Sequence, residues 1–167
     1  MIMHELSTAA SIKAPADIVY ELIADITRMG EWSPENTGGE WLNGTEAAVV
    51  GARFRGRNRR RVSWSTTAVV TDAARGRTFA FAVGRGAPAD PDTTWSYTFK
   101  PAADGGCIVT ETCTLMKAPG RLGRILTRFA TGVSWEERAA DLVTGMEETL
   151  RRLALVAEAQ DLSHRRP

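Results

Sequence analysis

Residues 94–100 read TWSYTFK, a segment in which large aromatic side chains alternate with hydroxyl side chains. Trp95, Tyr97 and Phe99 have the same parity, so an extended strand points all three to one face of a sheet. A strand with one apolar and one polar face is typical of an antiparallel sheet that covers a core on one side and meets water on the other. The segment therefore predicts a half-buried sheet with an aromatic inner face.

Other segments of the chain have a similar extended character. Residues 62–71 place Trp64 and other apolar side chains opposite serines and threonines, and residues 78–83 place two phenylalanines and a valine opposite smaller side chains. Turn-forming residues such as Asn43-Gly44 separate several of the segments. Short turns favour antiparallel neighbours, so the pattern predicts a curved meander of about seven strands. The remaining strands are expected at 5–13, 40–42, 53–58 and 107–116.

Helical segments flank the predicted strands at both ends. Apolar residues recur at three- and four-residue spacing over 18–26, which predicts a helix, and a short second helix or turn follows at 29–39. Near the other end, residues 122–129 predict a short helix that ends near Gly132. Ser134 and Glu137 have the spacing of a capping box, and the apolar stripe after them predicts a long helix over 135–159. The chain is therefore expected to be α+β, with the sheet wrapped around one long C-terminal helix.

The composition fits one domain. The chain has 167 residues, of which 43% are hydrophobic and 25% charged, and its formal net charge is +1. We expect a single domain over 1–160 and a frayed tail over 161–167. No apolar run exceeds five residues, so no membrane span is expected. The first residues lack the basic and apolar regions of a secretion signal, which predicts a cytoplasmic location.

The cysteines and histidines argue against a disulfide or a metal site. Cys107 and Cys113 lie six residues apart in one predicted strand, a separation of about 20 Å when the chain is extended. A disulfide needs its two Cα atoms within about 7 Å. His4 and His164 lie near opposite ends of the chain. We therefore expect two packing thiols, no metal and no cofactor.

Glu111 is the main candidate for chemistry. The threonines of residues 107–116 match the polar faces of the other strands, so alternation places Glu111 on the apolar inner face. Desolvation would raise the pKa of this carboxyl, which could then act as a proton donor, a base or a ligand anchor. The alternative is that Glu111 lies near the rim of the sheet or pairs with an arginine. Tyr97 is the second candidate for acid–base chemistry.

Residues 53–61 are rich in arginine. Five arginines share one parity, Arg60 is added to them, and no acidic residue interrupts the run. Clustered arginines can bind nucleic acid or phosphate. A net charge near zero and the lack of a known binding motif favour a solvated outer face instead, so no nucleic acid is expected. Arg57 or Arg59 could still reach inward at the mouth of a cavity and hold an anionic ligand.

Three further residues have two interpretations each. Trp32 and Trp41 bracket a turn-rich segment, where they could gate a pocket or cap a small core. Gly145 lies inside the predicted long helix, where glycine costs about 1 kcal/mol relative to alanine. A close approach of the sheet or of a ligand would explain that glycine.

Five segments of the chain support a family resemblance: APADIVY at 14–20, RMGEWSPE at 28–35, GARFRGRN at 51–58, WSYTF at 95–99 and GGCIVTE at 105–111. In these segments the chain resembles the SRPBCC superfamily of START-like and birch-pollen-allergen-like proteins, and more narrowly its actinobacterial polyketide cyclase/dehydrase-like members. The resemblance implies a helix-grip fold with a deep hydrophobic cavity between the sheet and the C-terminal helix. It implies a lipid, polyketide, sterol or other aromatic ligand, and some relatives are cyclases or aromatases.

Two main functions follow as hypotheses. The first is binding of a hydrophobic small molecule without assigned catalysis, by a monomer or a homodimer. The second is a cyclase, aromatase or dehydratase that uses Glu111 or Tyr97 as acid or base. A weaker third is a protein- or nucleic-acid-binding module built on residues 53–61. The predicted ligand-binding residues are Trp32, Trp41, Phe54, Trp64, Phe79, Phe81, Trp95, Tyr97, Glu111 and Met146.

Overall fold

The structure, a computed structural model, describes residues 4–164. Within these residues, seven strands form one sheet, and three α-helices and a 3-10 helix complete the fold. The strands are β1 (His4–Ile12), β2 (Asn36–Trp41), β3 (Arg53–Arg59), β4 (Ser63–Ala74), β5 (Thr78–Val83), β6 (Thr93–Pro101) and β7 (Cys107–Leu115). The helical elements are α1 (Ala16–Ala24), the 3-10 helix Ile26–Glu31, α2 (Arg121–Thr131) and α3 (Arg138–His164).

Strands β2 to β7 form a meander, and β1 pairs with β7 at the edge of the sheet. The strand order is β1-β7-β6-β5-β4-β3-β2, and neighbouring strands are antiparallel. Directly opposite residues of an antiparallel pair point to the same face, so the register aligns the inner side chains across the sheet. Trp95 lies opposite Phe81 on one side and opposite Cys113 on the other. The predicted helix-grip fold is confirmed, although β2 begins at Asn36 and not at residue 40.

Two short helices follow β1, as predicted. α1 begins directly after Pro15 and buries Val19, Leu22 and Ile23. Its buried face contacts β5, β6 and α3, so it closes one end of the core. The 3-10 helix begins after Asp25, whose carboxylate accepts a hydrogen bond from the Thr27 backbone N–H at 3.1 Å. These contacts fix the start of the turn-rich segment that leads into β2.

α3 is the helix that the sheet wraps. The predicted capping box is present, with the Ser134 N–H donating to Glu137 Oε2 at 3.0 Å and the Glu137 N–H donating to Ser134 Oγ at 3.3 Å. Leu150 and Leu153 of α3 are buried in the main core. The helix continues to His164, so residues 161–164 are helical and not a frayed tail as expected, while residues 165–167 lie outside the described part. The tail prediction is wrong there because α3 still contacts the protein in its last turns, where Asp161 is buried.

Both cysteines are buried and unbridged. Cys107 and Cys113 have no solvent exposure, and neither forms a disulfide. Burial raises the pKa of the Cys107 thiol to about 11 and that of the Cys113 thiol to about 12. Both are therefore protonated at neutral pH, as expected of packing thiols.

Within residues 4–164, none of the helices combines the length and apolar character that crossing a bilayer requires.

Candidate functional site

A cavity of about 260 Å³ lies between the inner face of the sheet and the first half of α3. Strands β3 to β7 form one wall, and Met146 and its neighbours on α3 form the other. The segment 32–36 closes one side. Eight of the ten residues predicted to bind a ligand border this cavity; they are Trp32, Phe54, Trp64, Phe81, Trp95, Tyr97, Glu111 and Met146. Their contact with a ligand remains a prediction.

Trp41 and Phe79, the other two residues predicted to bind a ligand, do not border the cavity. Trp41 lies opposite Phe54 in the β2–β3 pair and stacks edge-to-face on its ring at 5.6 Å. Phe54, unlike Trp41, borders the cavity. Phe79 is fully buried next to Tyr20 of α1, with ring centroids 6.4 Å apart. Parity gives the correct face for Phe79, but α1 fills the space above that part of β5.

Trp32 is a core residue that also borders the cavity. It is only 1% exposed. The guanidinium of Arg28 lies over its ring, 5.8 Å from the centroid, which is a cation–π geometry.

Gly145 also borders the cavity, but no close approach requires a glycine there. A Cβ at that position would meet Pro34 Cγ at 3.6 Å, an ordinary van der Waals distance.

Glu111 and Tyr97 form the polar pair of the cavity. The two residues lie opposite each other in β6 and β7, and the Tyr97 hydroxyl donates to Glu111 Oε1 at 2.7 Å. Both side chains are buried, with 4% of Tyr97 and 2% of Glu111 exposed. The second carboxyl oxygen, Glu111 Oε2, is buried without a hydrogen-bond partner in the described structure. Glu111 borders the cavity and has one oxygen held by Tyr97 and one buried oxygen without a hydrogen-bond partner among the described residues.

The protonation state of this pair follows from its burial. Desolvation raises the pKa of Glu111 to about 8, although the hydrogen bond from Tyr97 lowers it. Burial also raises the pKa of Tyr97 well above its ordinary value, and the nearby Glu111 carboxyl adds to that effect. At pH 7 both groups are then mainly neutral. Because Tyr97 donates to Oε1, the carboxyl proton belongs on Oε2.

A cluster of four charged residues lines the mouth of the cavity. Arg138 donates to Glu35 Oε1 at 2.6 Å and to Asp141 Oδ2 at 2.5 Å. Arg60 donates to Asp141 Oδ1 at 3.0 Å and lies 3.8 Å from Glu35 Oε2. These side chains are 11–30% exposed, whereas Glu111 is nearly fully buried. The cluster ties the segment before β2, the β3–β4 turn and the start of α3 together.

The arginine-rich segment faces mainly outward. Arg55 and Arg57 are exposed and pair with Glu40, at 2.7 and 3.9 Å. The hypothesis that Arg57 or Arg59 reaches inward at the cavity mouth is therefore wrong, because both side chains are exposed on the outer face. Among the arginines of residues 53–61, Arg60 borders the cavity. β3 ends at Arg59, so the next residue lies in the turn and no longer follows the strand alternation.

Sequence reasoning did not find the charged cluster at the mouth. Two of its ion pairs join residues that are 81 and 103 positions apart in the chain, so no local spacing reveals them. The only local signal is the three-residue spacing of Arg138 and Asp141 at the start of a helix. That spacing is too common on helix surfaces to identify a site.

The comparison with known protein families gives one match. Residues 3–158 match the model of a family described as polyketide cyclase / dehydrase and lipid transport. The match covers nearly the whole chain, including every strand of the sheet. None of the curated proteins matches the chain in sequence.

Several solved structures share the fold. A polyketide-cyclase-like protein from Corynebacterium glutamicum is 29% identical, with a TM-score of 0.60 over 96% of this chain and 94% of that one. Major latex-like protein 151 from Panax ginseng is 13% identical, with a TM-score of 0.65 over 94% of this chain and 99% of that one. The di-domain ARO/CYC from the steffimycin biosynthetic pathway is 14% identical, with a TM-score of 0.70 over 93% of this chain and 51% of that one.

Proposed function

Because the chain belongs to the polyketide cyclase / dehydrase and lipid transport family, we propose that it binds a hydrophobic small molecule in the cavity between the sheet and α3. The ligand is a lipid, a polyketide or an aromatic compound. The cavity volume of about 260 Å³ lies just below the range typical of small-molecule sites, which is roughly 300–1,000 Å³. That size favours a compact ligand.

The observation that carries this proposal is the polarity of the cavity wall. Aromatic and aliphatic side chains make up the larger part of the wall. The polar lining consists of the charged cluster at the mouth, the pair Tyr97–Glu111 and uncharged side chains such as Asn58 and Thr149, whose hydroxyl already donates to the Gly145 carbonyl at 2.9 Å. Glu111 Oε2 remains as a polar atom without a partner. An apolar wall with few polar groups is the usual design of a small-molecule site, since the polar groups fix orientation. A neutral carboxyl donates a hydrogen bond, so it suits a ligand with a carbonyl or hydroxyl oxygen.

Replacing Trp95 with alanine tests the wall directly. Trp95 borders the cavity, so Trp95→Ala should weaken binding of the neutral apolar fluorophore 1-aminoanthracene by roughly ten-fold through lost apolar contact. Trp41→Ala is the matched control, because it removes another half-buried tryptophan that stacks on Phe54 outside the cavity. Fluorescence titration of the wild type and the two folded variants measures the effect. Equal affinity of the wild type and Trp95→Ala would refute this part of the proposal.

Acid–base catalysis in the same cavity is the second candidate. The buried Tyr97–Glu111 pair favours it, because a carboxyl with a pKa of about 8 can both donate and accept a proton near neutral pH. In this alternative, Glu111 or Tyr97 protonates a carbonyl or hydroxyl oxygen of a polyketide-like substrate. Glu111→Gln separates the two functions: a carrier keeps binding its ligand, whereas an acid–base enzyme keeps affinity but loses turnover. Incubation with a linear poly-β-ketone and mass spectrometry of the products measures turnover.

A further inference from the structure

Helix α2 turns its large apolar side chains away from the protein. Leu122, Ile125, Leu126 and Phe129 are 56–69% exposed. Their spacing of three, four and seven residues places them in one stripe along the helix. We call this set the α2 stripe. An exposed, continuous row of four large apolar side chains is unusual on a soluble surface and marks an interaction site.

The side of α2 that faces the protein is made of small residues. Gly123, Thr127 and Ala130 are half-buried and Thr131 is buried. The hydroxyl of Thr127 donates to the Gly123 carbonyl at 2.9 Å, and that of Thr131 donates to the Thr127 carbonyl at 2.8 Å. An ordinary surface helix has the opposite arrangement, with its large apolar residues toward the core. The α2 stripe therefore serves a partner outside the fold.

Cationic side chains flank the α2 stripe. Arg121, Arg124 and Arg128 are exposed along one flank, and the sequence of α2 contains no acidic residue. Arg124 has a partner, Glu136, at 2.5 Å. The neighbouring β3–β4 turn adds Arg61, which is exposed. The Arg61 N–H donates to the Ala130 carbonyl at 3.0 Å, which holds that turn beside the end of α2.

We propose that α2 docks on an anionic lipid surface, with the α2 stripe in the boundary between headgroups and acyl chains and the arginines on lipid phosphates. A short helix with one apolar face and a basic flank is the type that lies in the plane of a bilayer surface. The charges also argue against a second copy of the chain as the partner. In a two-fold dimer the same patch faces itself, which would bring two rows of arginines together.

The location of α2 gives this docking a consequence for the cavity. Trp135 and Arg138, which follow α2 in the chain, border the cavity, and so does Arg60 beside Arg61. Docking through α2 therefore holds the cavity mouth close to the lipid surface. The inference rests on α2 and does not require the proposed ligand-binding function. Where both hold, the membrane is the route by which an apolar ligand enters or leaves.

Vesicle flotation tests the proposal on the whole chain. The wild type should float with phosphatidylcholine vesicles that contain one third phosphatidylglycerol, and much less with phosphatidylcholine alone or at high salt. Leu126→Gln combined with Phe129→Gln should reduce the floating fraction by roughly ten-fold. Arg121→Gln combined with Arg128→Gln should reduce it by a smaller factor. Leu155→Gln combined with Leu162→Gln is the matched control, because these leucines of α3 are similarly exposed, at 60% and 62%.

Each outcome of this experiment decides the proposal. Selective loss of flotation in the α2 variants, with unchanged thermal unfolding, supports it. Absence of flotation by the wild type, or equal flotation of the wild type and both α2 variants, overturns it. Light scattering on the same samples measures the oligomeric state. If the wild type is a dimer, the α2 variants are monomers and flotation is the same for all of them, the α2 stripe is a self-association surface and the membrane proposal is overturned. An α2 variant that loses flotation but still binds 1-aminoanthracene would show that membrane docking and ligand binding are separate properties of the protein.

Discussion

Replacing Glu111 with glutamine is expected to raise the free energy of unfolding by about 3 kcal/mol at pH 7. The cause is the cost of ionising a carboxyl that is 2% exposed. Burial raises its pKa from 4.5 to about 8, so the folded protein retains a proton that the unfolded chain has lost. Glutamine has nearly the same shape and can still accept the Tyr97 hydrogen bond, but it does not ionise.

The sign of the pH dependence follows from the same shift. A group whose pKa is raised in the folded state contributes its full stability below the unfolded value of 4.5 and loses it as the pH rises toward about 8. In that window the free energy of unfolding of the wild type should fall by about 1.4 kcal/mol per pH unit from this group. Above the window the contribution is constant. Glu111→Gln should lack this slope.

Urea unfolding at about pH 5, 7 and 9 measures both effects. Glu147→Gln is the matched control, since it removes the same charge from the exposed side of α3 and should leave the slope unchanged. If Glu111→Gln and the wild type have the same dependence on pH, the carboxyl is not held neutral by burial. The acid–base alternative would then lose its basis as well.

Replacing Arg138 with methionine is expected to lower the free energy of unfolding by about 3 kcal/mol. Arg138 is 11% exposed and binds Glu35 and Asp141 at 2.6 and 2.5 Å. Its removal leaves two largely buried carboxylates, for which Arg60 is the remaining cation of the cluster. Breaking an ion pair from one side is costly where the remaining charges are shielded from water, and here two carboxylates would share the single guanidinium of Arg60.

Arg124→Met is the matched control for this second prediction. Arg124 also pairs with a glutamate at 2.5 Å, but the side chains of Arg124 and Glu136 are 47% and 66% exposed. Exposed pairs contribute roughly 0–1 kcal/mol, so this variant should unfold nearly like the wild type. Urea unfolding of both variants at pH 7 makes the comparison. An Arg138→Met loss no larger than that of Arg124→Met would show that the cluster does not hold the mouth together.

The alternation of apolar and polar residues along the strands was enough to predict most of the fold and part of the site. Side chains of a strand alternate between its two faces, so a shift of one residue would turn every apolar side chain from the core to the solvent. The pattern of apolar residues therefore strongly specifies which face is buried. That is why the inner positions of Trp95, Tyr97 and Glu111 could be predicted. Alternation does not tell how far a cavity extends along a strand. Phe79 has the correct face, but its surroundings depend on where Tyr20 of α1 packs.

The remaining features depend on tertiary contacts. Arg60 and Glu35 meet Arg138 and Asp141 only because the fold brings a turn, a loop and a helix start together. The apolar periodicity of residues 122–129 correctly predicts α2, but periodicity alone does not say which way a stripe faces. Here the small residues face the protein, so the large ones are exposed.

A titration of isotope-labelled protein with 1-aminoanthracene, followed by amide chemical shifts in NMR spectra, tests most directly whether the cavity is the binding site. We expect saturation at one equivalent and shift changes confined to the cavity wall, including Ala68, Tyr97 and Met146. Thr98, which is exposed on the outer face of β6, should not change. Absence of saturable changes, or changes centred on the α2 stripe or scattered over the surface, would contradict binding between the sheet and α3.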